Sequence, residues 1–398
     1  MILKNLSQDI LVKNTYFLSQ PHQPFFVLAF FNAIFTMLIF MLAYKGITVL
    51  ELPPASFHGY SIIYLLFTPA FLAFIFTTFP RFSSTPPIAR EHYLSVFALF
   101  LTGSLFFVSG VFFSPLLYSL GIGLLLAGHI WAVKILWEIY RLSQMPDKHD
   151  IFWILTAMLL GAVSHLLFAV GMLFIPALLP LAIQVAIYLY LFLVGFTIAQ
   201  RMVPFFSHSL IDRDDGFIRK IIAILIARIL LETVWPHSSF PLDFALAWII
   251  GREVYRWKLP FPNPNPLLWI LHISIYWIPV AFLFGGMSNL TALISGGNFL
   301  FLDIHILILG FLFTILIGFG TRVTIGHSGN MMQADRWTIM LFNWTQVVVV
   351  LRLLTSIAAA YGWNYLILFD ISVTAWLLMF VVWGIRFFPV LVFGKKLR

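Results

Sequence analysis

The sequence predicts an all-α, polytopic membrane protein of about twelve spanning helices, and three observations carry that expectation. Hydrophobic residues make up 61% of the 398 and charged residues only 10%, whereas a soluble chain is about a quarter charged because its surface faces water. Apolar runs recur along the whole chain, each close to the roughly 20 residues that cross a bilayer core. Basic residues gather in alternate loops, the pattern that fixes orientation in a membrane.

The apolar runs fall at residues 25–44, 57–79, 93–112, 116–140, 152–174, 178–203, 217–235, 240–257, 267–284, 299–323, 337–361 and 365–388. Each must be helical, since hydrocarbon offers the backbone no partners. Lys4 and Lys13 precede the first span, and Arg81, Arg90, Arg141, Lys148, Arg201, Arg213, Arg219, Lys220, Arg252, Arg256, Lys258, Arg322 and Arg336 follow even-numbered spans. Lys395, Lys396 and Arg398 close the chain, and only Lys45 lies in a loop on the other side. Both termini are therefore expected in the cytoplasm. The isoelectric point near 9.7 reports this topology and implies no nucleic-acid partner. The expected organisation is a cytoplasmic segment over residues 1–24, one transmembrane domain over 25–390 and a basic tail over 391–398. Met1 to Gln23 lacks the apolar core and cleavage site of a signal peptide. Leu3, Leu6, Ile10 and Leu11 fit a short interfacial helix there, with a partly ordered tail as the alternative.

With no cysteine among 398 residues, disulfides, thiolate ligands and Fe–S clusters are excluded, and a metal would fall to the 11 histidines, to methionine or to carboxylates. Ionisable groups inside a membrane are costly enough to be functional candidates. His58 opens the second span and His305 the tenth, both on the outer side, and their matched depth favours a ligand role, haem above all. His129 and His165 lie mid-membrane, where an interhelical hydrogen bond serves equally well. His92, His149 and His237 read as amphipathic boundary residues. His272, His327 and His208 lie near the inner boundary, where they would bind copper or a second haem, or hold loops together. Arg228 and Glu232 can pair at i,i+4. Arg352, in the outer half of the eleventh span, requires an anion, either a haem propionate or Asp370. Pro69, Pro176, Pro180 and Pro279 could break helices, and no internal repeat is evident. Walker-type loops, dinucleotide fingerprints and nucleophile elbows are absent.

At the tenth span the sequence becomes specific. His305-Ile-Leu-Ile-Leu-Gly310, with Gly318-Phe-Gly-Thr-Arg322-Val-Thr-Ile-Gly326-His327-Ser328-Gly329, resembles the NnrS family of bacterial haem- and copper-containing membrane proteins. Arg201-Met-Val-Pro204-Phe205-Phe206-Ser207 is similar to that family's R-x-x-P-F-F-T segment, Pro266-Leu-Leu-Trp269-Ile-Leu-His272 to its P-L-L-W-x-L-H stretch, and Arg386-Phe-Phe-Pro389 to its closing segment. Where the family opens its second helix with W-H-A-H-E, this chain has Phe57-His58-Gly59-Tyr60-Ser61, keeping the first histidine alone.

The resemblance implies a protein of the bacterial inner membrane that takes part in nitric-oxide tolerance or metabolism. Haem b is its expected cofactor and copper a further one. Nitric oxide would be the ligand, and quinol or another membrane carrier the electron donor. His58, His305, Arg352 and Arg322 are the expected haem-binding residues, with His272 and His327 as further metal ligands, and an oxidoreductase activity remains open. Histidines at the starts of helices two and ten also resemble the haem-ligand arrangement of haem–copper oxidases, a fold-level analogy. The competing class is a cofactor-free transporter whose buried Arg and His line a substrate path.

Overall fold

The computed structural model describes residues 16–209 and 211–397; the expected interfacial helix around Leu3 to Leu11 lies outside them. All twelve expected spans are helices: α1 (His22–Tyr44), α2 (Pro54–Phe82), α3 (Arg90–Phe113), α4 (Pro115–Leu142), α5 (His149–Leu173), α6 (Pro176–Phe206), α7 (Phe217–Val234), α8 (Phe240–Arg256), α9 (Pro266–Ser295), α10 (Leu302–His327), α11 (Arg336–Ala360) and α12 (Leu366–Phe393). Ten are long and apolar enough to cross a bilayer. The other two are α7, which carries Arg219, Lys220, Arg228 and Glu232, and α8, which has only 17 residues. The chain is thus a multi-pass membrane protein. Phe31, Leu116, Leu230 and Ile294 point outward, as lipid-facing residues do.

Two compact units alternate along the chain. One comprises Met1–Ile151, Gly320–Met332 and Phe380–Arg398, and the other Phe152–Phe319 and Gln333–Met379. In the first unit α3 and α4 are joined through Ser114 alone, with Pro115 at the first position of α4, where a missing N–H costs nothing. Their close approach depends on glycine. A Cβ at Gly110 would fall on the backbone of Tyr118, and one at Gly121 on that of Phe107, the small-residue contact that brings membrane helices together. Elsewhere in this unit the Trp383 indole donates to Thr321 Oγ1 at 3.0 Å and packs 4.1 Å from the Phe30 ring.

In the second unit glycines make room for aromatic rings. Gly310 faces Trp277, Gly286 faces Phe244 and Gly161 faces Tyr190. Trp277 donates its indole N–H to Gln346 Oε1 at 2.8 Å, so a large, half-buried side chain has its polar atom satisfied.

Helices α2, α6 and α10 are not broken at prolines; each instead carries a π-helical stretch, at Ser61–Phe67, Val185–Leu191 and Ile306–Phe313. A π-turn bonds i to i−5, is rare, and recurs at functional sites. Two threonines match that geometry, with Thr68 Oγ1 donating to Ile63 O at 2.8 Å and Thr314 Oγ1 to Leu309 O at 2.9 Å, each five residues back. Asn32 uses the same opening in α2, donating its amide to Leu65 O at 2.8 Å and to Ser104 Oγ at 3.0 Å. Helix α9 runs through Pro279 uninterrupted.

Gly110→Val should lower stability by about 1–3 kcal/mol, the usual cost of forcing extra atoms into a packed contact. Gly123→Val, where a Cβ meets open space, should change it little. Unfolding of the detergent-solubilised variants in SDS reads the difference.

Candidate functional site

The most elaborate polar arrangement belongs to the second unit and is built around two arginines. Arg228 of α7 is 1% exposed, a burial that demands full compensation of its charge. Its Nε donates to Asp243 Oδ1 of α8 at 2.5 Å, its Nη1 to Gln184 Oε1 of α6 at 2.7 Å and its Nη2 to Asp303 Oδ2 of α10 at 2.9 Å. The guanidinium lies 4.1 Å from the Tyr188 ring centre, and the Tyr188 hydroxyl donates to the same Asp303 oxygen at 2.8 Å. Asp243 also accepts from Asn289 Nδ2 at 3.0 Å and Ser239 Oγ at 3.2 Å. Four helices are thereby tied to one cation.

This corrects the expected Arg228–Glu232 pair. Glu232 Oε1 instead accepts the backbone N–H of His237 at 2.9 Å. Carboxylates brought in by other helices satisfy the arginine in a buried place, where an exposed i,i+4 pair would contribute only a few tenths of a kcal/mol.

The second arginine stands beside His305. Arg352 Nη2 donates to Leu300 O at 2.9 Å and lies 3.1 Å from His305 Nδ1 and 3.4 Å from its Nε2, while Nη1 donates to Ser356 Oγ. His305 Nδ1 is 2.8 Å from Phe301 O. A carbonyl only accepts, so that contact places the proton on Nδ1 and the lone pair on Nε2. Entry into α10 is strained, because Leu300 and Phe301 both have positive φ, at 48° and 56°. Non-glycine residues adopt that region at a cost of about 1–3 kcal/mol each, and only where their surroundings over-determine it.

His272 of α9 belongs to the same unit and spends both ring nitrogens within it. Ser207 Oγ lies 2.6 Å from Nε2, and Nδ1 is 3.1 Å from Pro260 O. With the proton on Nδ1, Ser207 donates to Nε2. His208 follows with a left-handed backbone, φ 52°.

The remaining candidates, His165 apart, belong to the first unit. His58 stacks on Phe40, ring centres 4.1 Å apart. His327 ends α10, its Nδ1 3.0 Å from Val323 O and its Nε2 3.4 Å from Arg81 Nη2, and the buried His22 ring lies 4.7 Å away. Arg322, one turn earlier in α10, is half-buried. His129 (first unit) and His165 (second unit) are fully buried. Among the described residues no three His, Asp or Glu side chains converge as a metal cluster.

Sequence reasoning singles out His305, Arg352 and Arg228 separately. Within the second unit the structure brings Arg352 onto His305 and ties Arg228 to Asp303, two residues before it. Gln184, Tyr188, Asp243 and Ser207 were missed as partners. Asp243, a lone carboxylate at the start of an apolar helix, was the legible signal among them.

Compared with known proteins, the chain is matched over residues 16–393 by the family model described as NnrS protein. The chain belongs to the NnrS family. Membership over nearly its whole length fits a membrane protein of the nitric-oxide response. Two of the motifs that carry it are joined in space, since Ser207 ends the family-like segment that closes α6 and hydrogen-bonds His272 of the family-like segment in α9. No curated protein matches the chain.

Arg228→Leu should destabilise this NnrS protein by about 3–5 kcal/mol, because it strands Asp243 and Asp303 without their cation. Arg213→Leu, which removes the pair between a half-buried arginine and the exposed Asp215, should cost below about 1 kcal/mol. Both are read from the same denaturation curves.

Proposed function

We propose that the chain is a haem-binding protein of the bacterial inner membrane, serving nitric-oxide tolerance through redox chemistry at a haem b. The observation that carries this reading is the pairing of His305 with Arg352. A carbonyl accepting from Nδ1–H is the usual outer-shell support of a metal-bound imidazole; His305 makes that bond to Phe301 O, and its Nε2 lies 3.4 Å from Arg352 Nη2. Beside it stands a guanidinium, the group best suited to a carboxylate in a poorly solvated place, as a haem propionate would be. One locality of the fold would thus supply an imidazole to the haem and a cation to its carboxylates. His58 and Arg322 belong to the other unit and are assigned no part in this locality.

A haem held by these residues would supply one-electron chemistry and would bind diatomic gases. The chain's own contribution is to fix the His305 tautomer, to hold a cation beside it and to surround it with apolar residues such as Leu302, Ile306 and Leu307 that keep water out. Quinol or a similar membrane carrier is the proposed electron source. Copper fits these residues less well, for among the described residues no three His, Asp or Glu side chains converge to hold it. No step is assigned to it.

Arg352→Leu should lower the haem-to-protein ratio of the purified protein several-fold, while Arg219→Leu, an exposed position on α7, leaves it unchanged. Nitric oxide added to the dithionite-reduced protein should give a nitrosyl band, and an electrode then reads whether the gas is consumed. Equal haem content in both variants would remove Arg352 from the site. Absence of any haem in the wild type would return the protein to the cofactor-free transporter.

A further inference from the structure

The three π-helical stretches open at Ser61, Val185 and Ile306, steps of 124 and 121 residues, and they occur in the second, sixth and tenth helices. One helix further on, Ser104, Arg228 and Arg352 occupy the third, seventh and eleventh helices at even steps of 124 residues. Arg228 and Arg352 meet the π-bearing helix that precedes each of them, and Ser104 is joined to it through Asn32. Asn32 bridges Ser104 to Leu65 O inside the first π stretch. Arg228 bonds Gln184, the residue before the second stretch, and Arg352 contacts His305, the residue before the third. The placement of π stretch and following polar residue thus recurs every four helices. Gln184 and His305 are then equivalent positions, as are Arg228 and Arg352.

In the second unit both of these arginines act on one short piece of chain. Arg352 holds Leu300 O, on one side of the left-handed turn at Leu300 and Phe301. Arg228 holds the Asp303 carboxylate on the other side, with the Tyr188 hydroxyl on the same oxygen. Between these anchors Phe301 O receives both the backbone N–H and the Nδ1–H of His305. The strained turn sets where the imidazole stands, and two arginines set the turn. Asp243, Asn289 and Ser239 in their turn fix Arg228.

We propose that Arg228 and Arg352 are repeat-related clamps on the Leu300–Phe301 turn, and that the Arg228–Asp303 pair is a positioning device for the His305 ring. The role at the metal rests on the reading that His305 ligates haem; the role at the ring does not. Asp303 and Arg228 act through the backbone that carries the imidazole.

The test uses full-length protein in detergent, comparing the wild type with Asp303→Asn, which keeps size and hydrogen bonding but removes the charge that holds Arg228, and with Asp303→Glu. Two readouts run side by side: the haem optical and EPR spectra with the midpoint potential, and the rate at which diethyl pyrocarbonate modifies His305, followed by mass spectrometry. Asp303→Asn is expected to shift the spectra and potential and to raise His305 modification several-fold, with Asp303→Glu moving both back toward wild type. Wild-type spectra, potential and modification rate in Asp303→Asn would overturn the clamp. A wild type without haem would sink the haem reading, and the modification rates would still decide the clamp. If Asp303→Asn fails to fold, Tyr188→Phe removes one bond to the same carboxylate without stranding a charge. Faster His305 modification there supports the proposal, and an unchanged rate overturns it.

Discussion

A guanidinium at 1% exposure inside a helix bundle is a cation taken out of water, and the chain can afford it only by meeting that charge from several directions. Asp243, Asp303, Gln184 and the Tyr188 ring do so from three further helices. The consequence is geometric more than energetic. Buried ion pairs contribute little net stability against apolar alternatives, but a broken one is severely destabilising. The positions of α6, α7, α8 and α10 in this unit are therefore coupled, and none can shift without stranding a charge.

That constraint reaches the candidate site through Asp303. It stands in the first turn of α10, after two residues in left-handed backbone and two residues before His305. The tertiary contacts that tolerate the strain are the same contacts that fix the imidazole. Immediately beyond, the π-helical stretch begins, and Thr314 closes it with its side chain. Strain, π-helix and a buried ion pair within a dozen residues mark the start of α10 as the place where local regularity yields to something else, as it does at functional sites.

Much of this was legible in the sequence. Apolar length alone placed all twelve helices, because hydrocarbon admits no other backbone, and the two helices that fall short of an ideal span are those whose charges the sequence displays. His305 and Arg352 were readable as isolated polar residues in apolar runs. Their pairing was not, since nothing in a linear pattern says which face of α11 meets the start of α10. Arg228 shows the limit clearly: the nearest carboxylate in sequence, Glu232, lost to Asp243 and Asp303, which are 15 and 75 residues away. The π-helices were equally hidden. Prolines suggested broken helices, but α6 and α10 deviate without a proline at the π stretch, and their recurrence along the chain appears only in the backbone.

The account turns on whether His305 is a haem ligand. The direct measurement is the pyridine haemochrome content of purified wild type and His305→Ala, taken with the reduced-minus-oxidised spectrum of each after both variants have been shown to insert equally. A b-type spectrum in the wild type that is lost or strongly shifted in His305→Ala is the predicted result. The same haem content and the same spectrum in both proteins would contradict it.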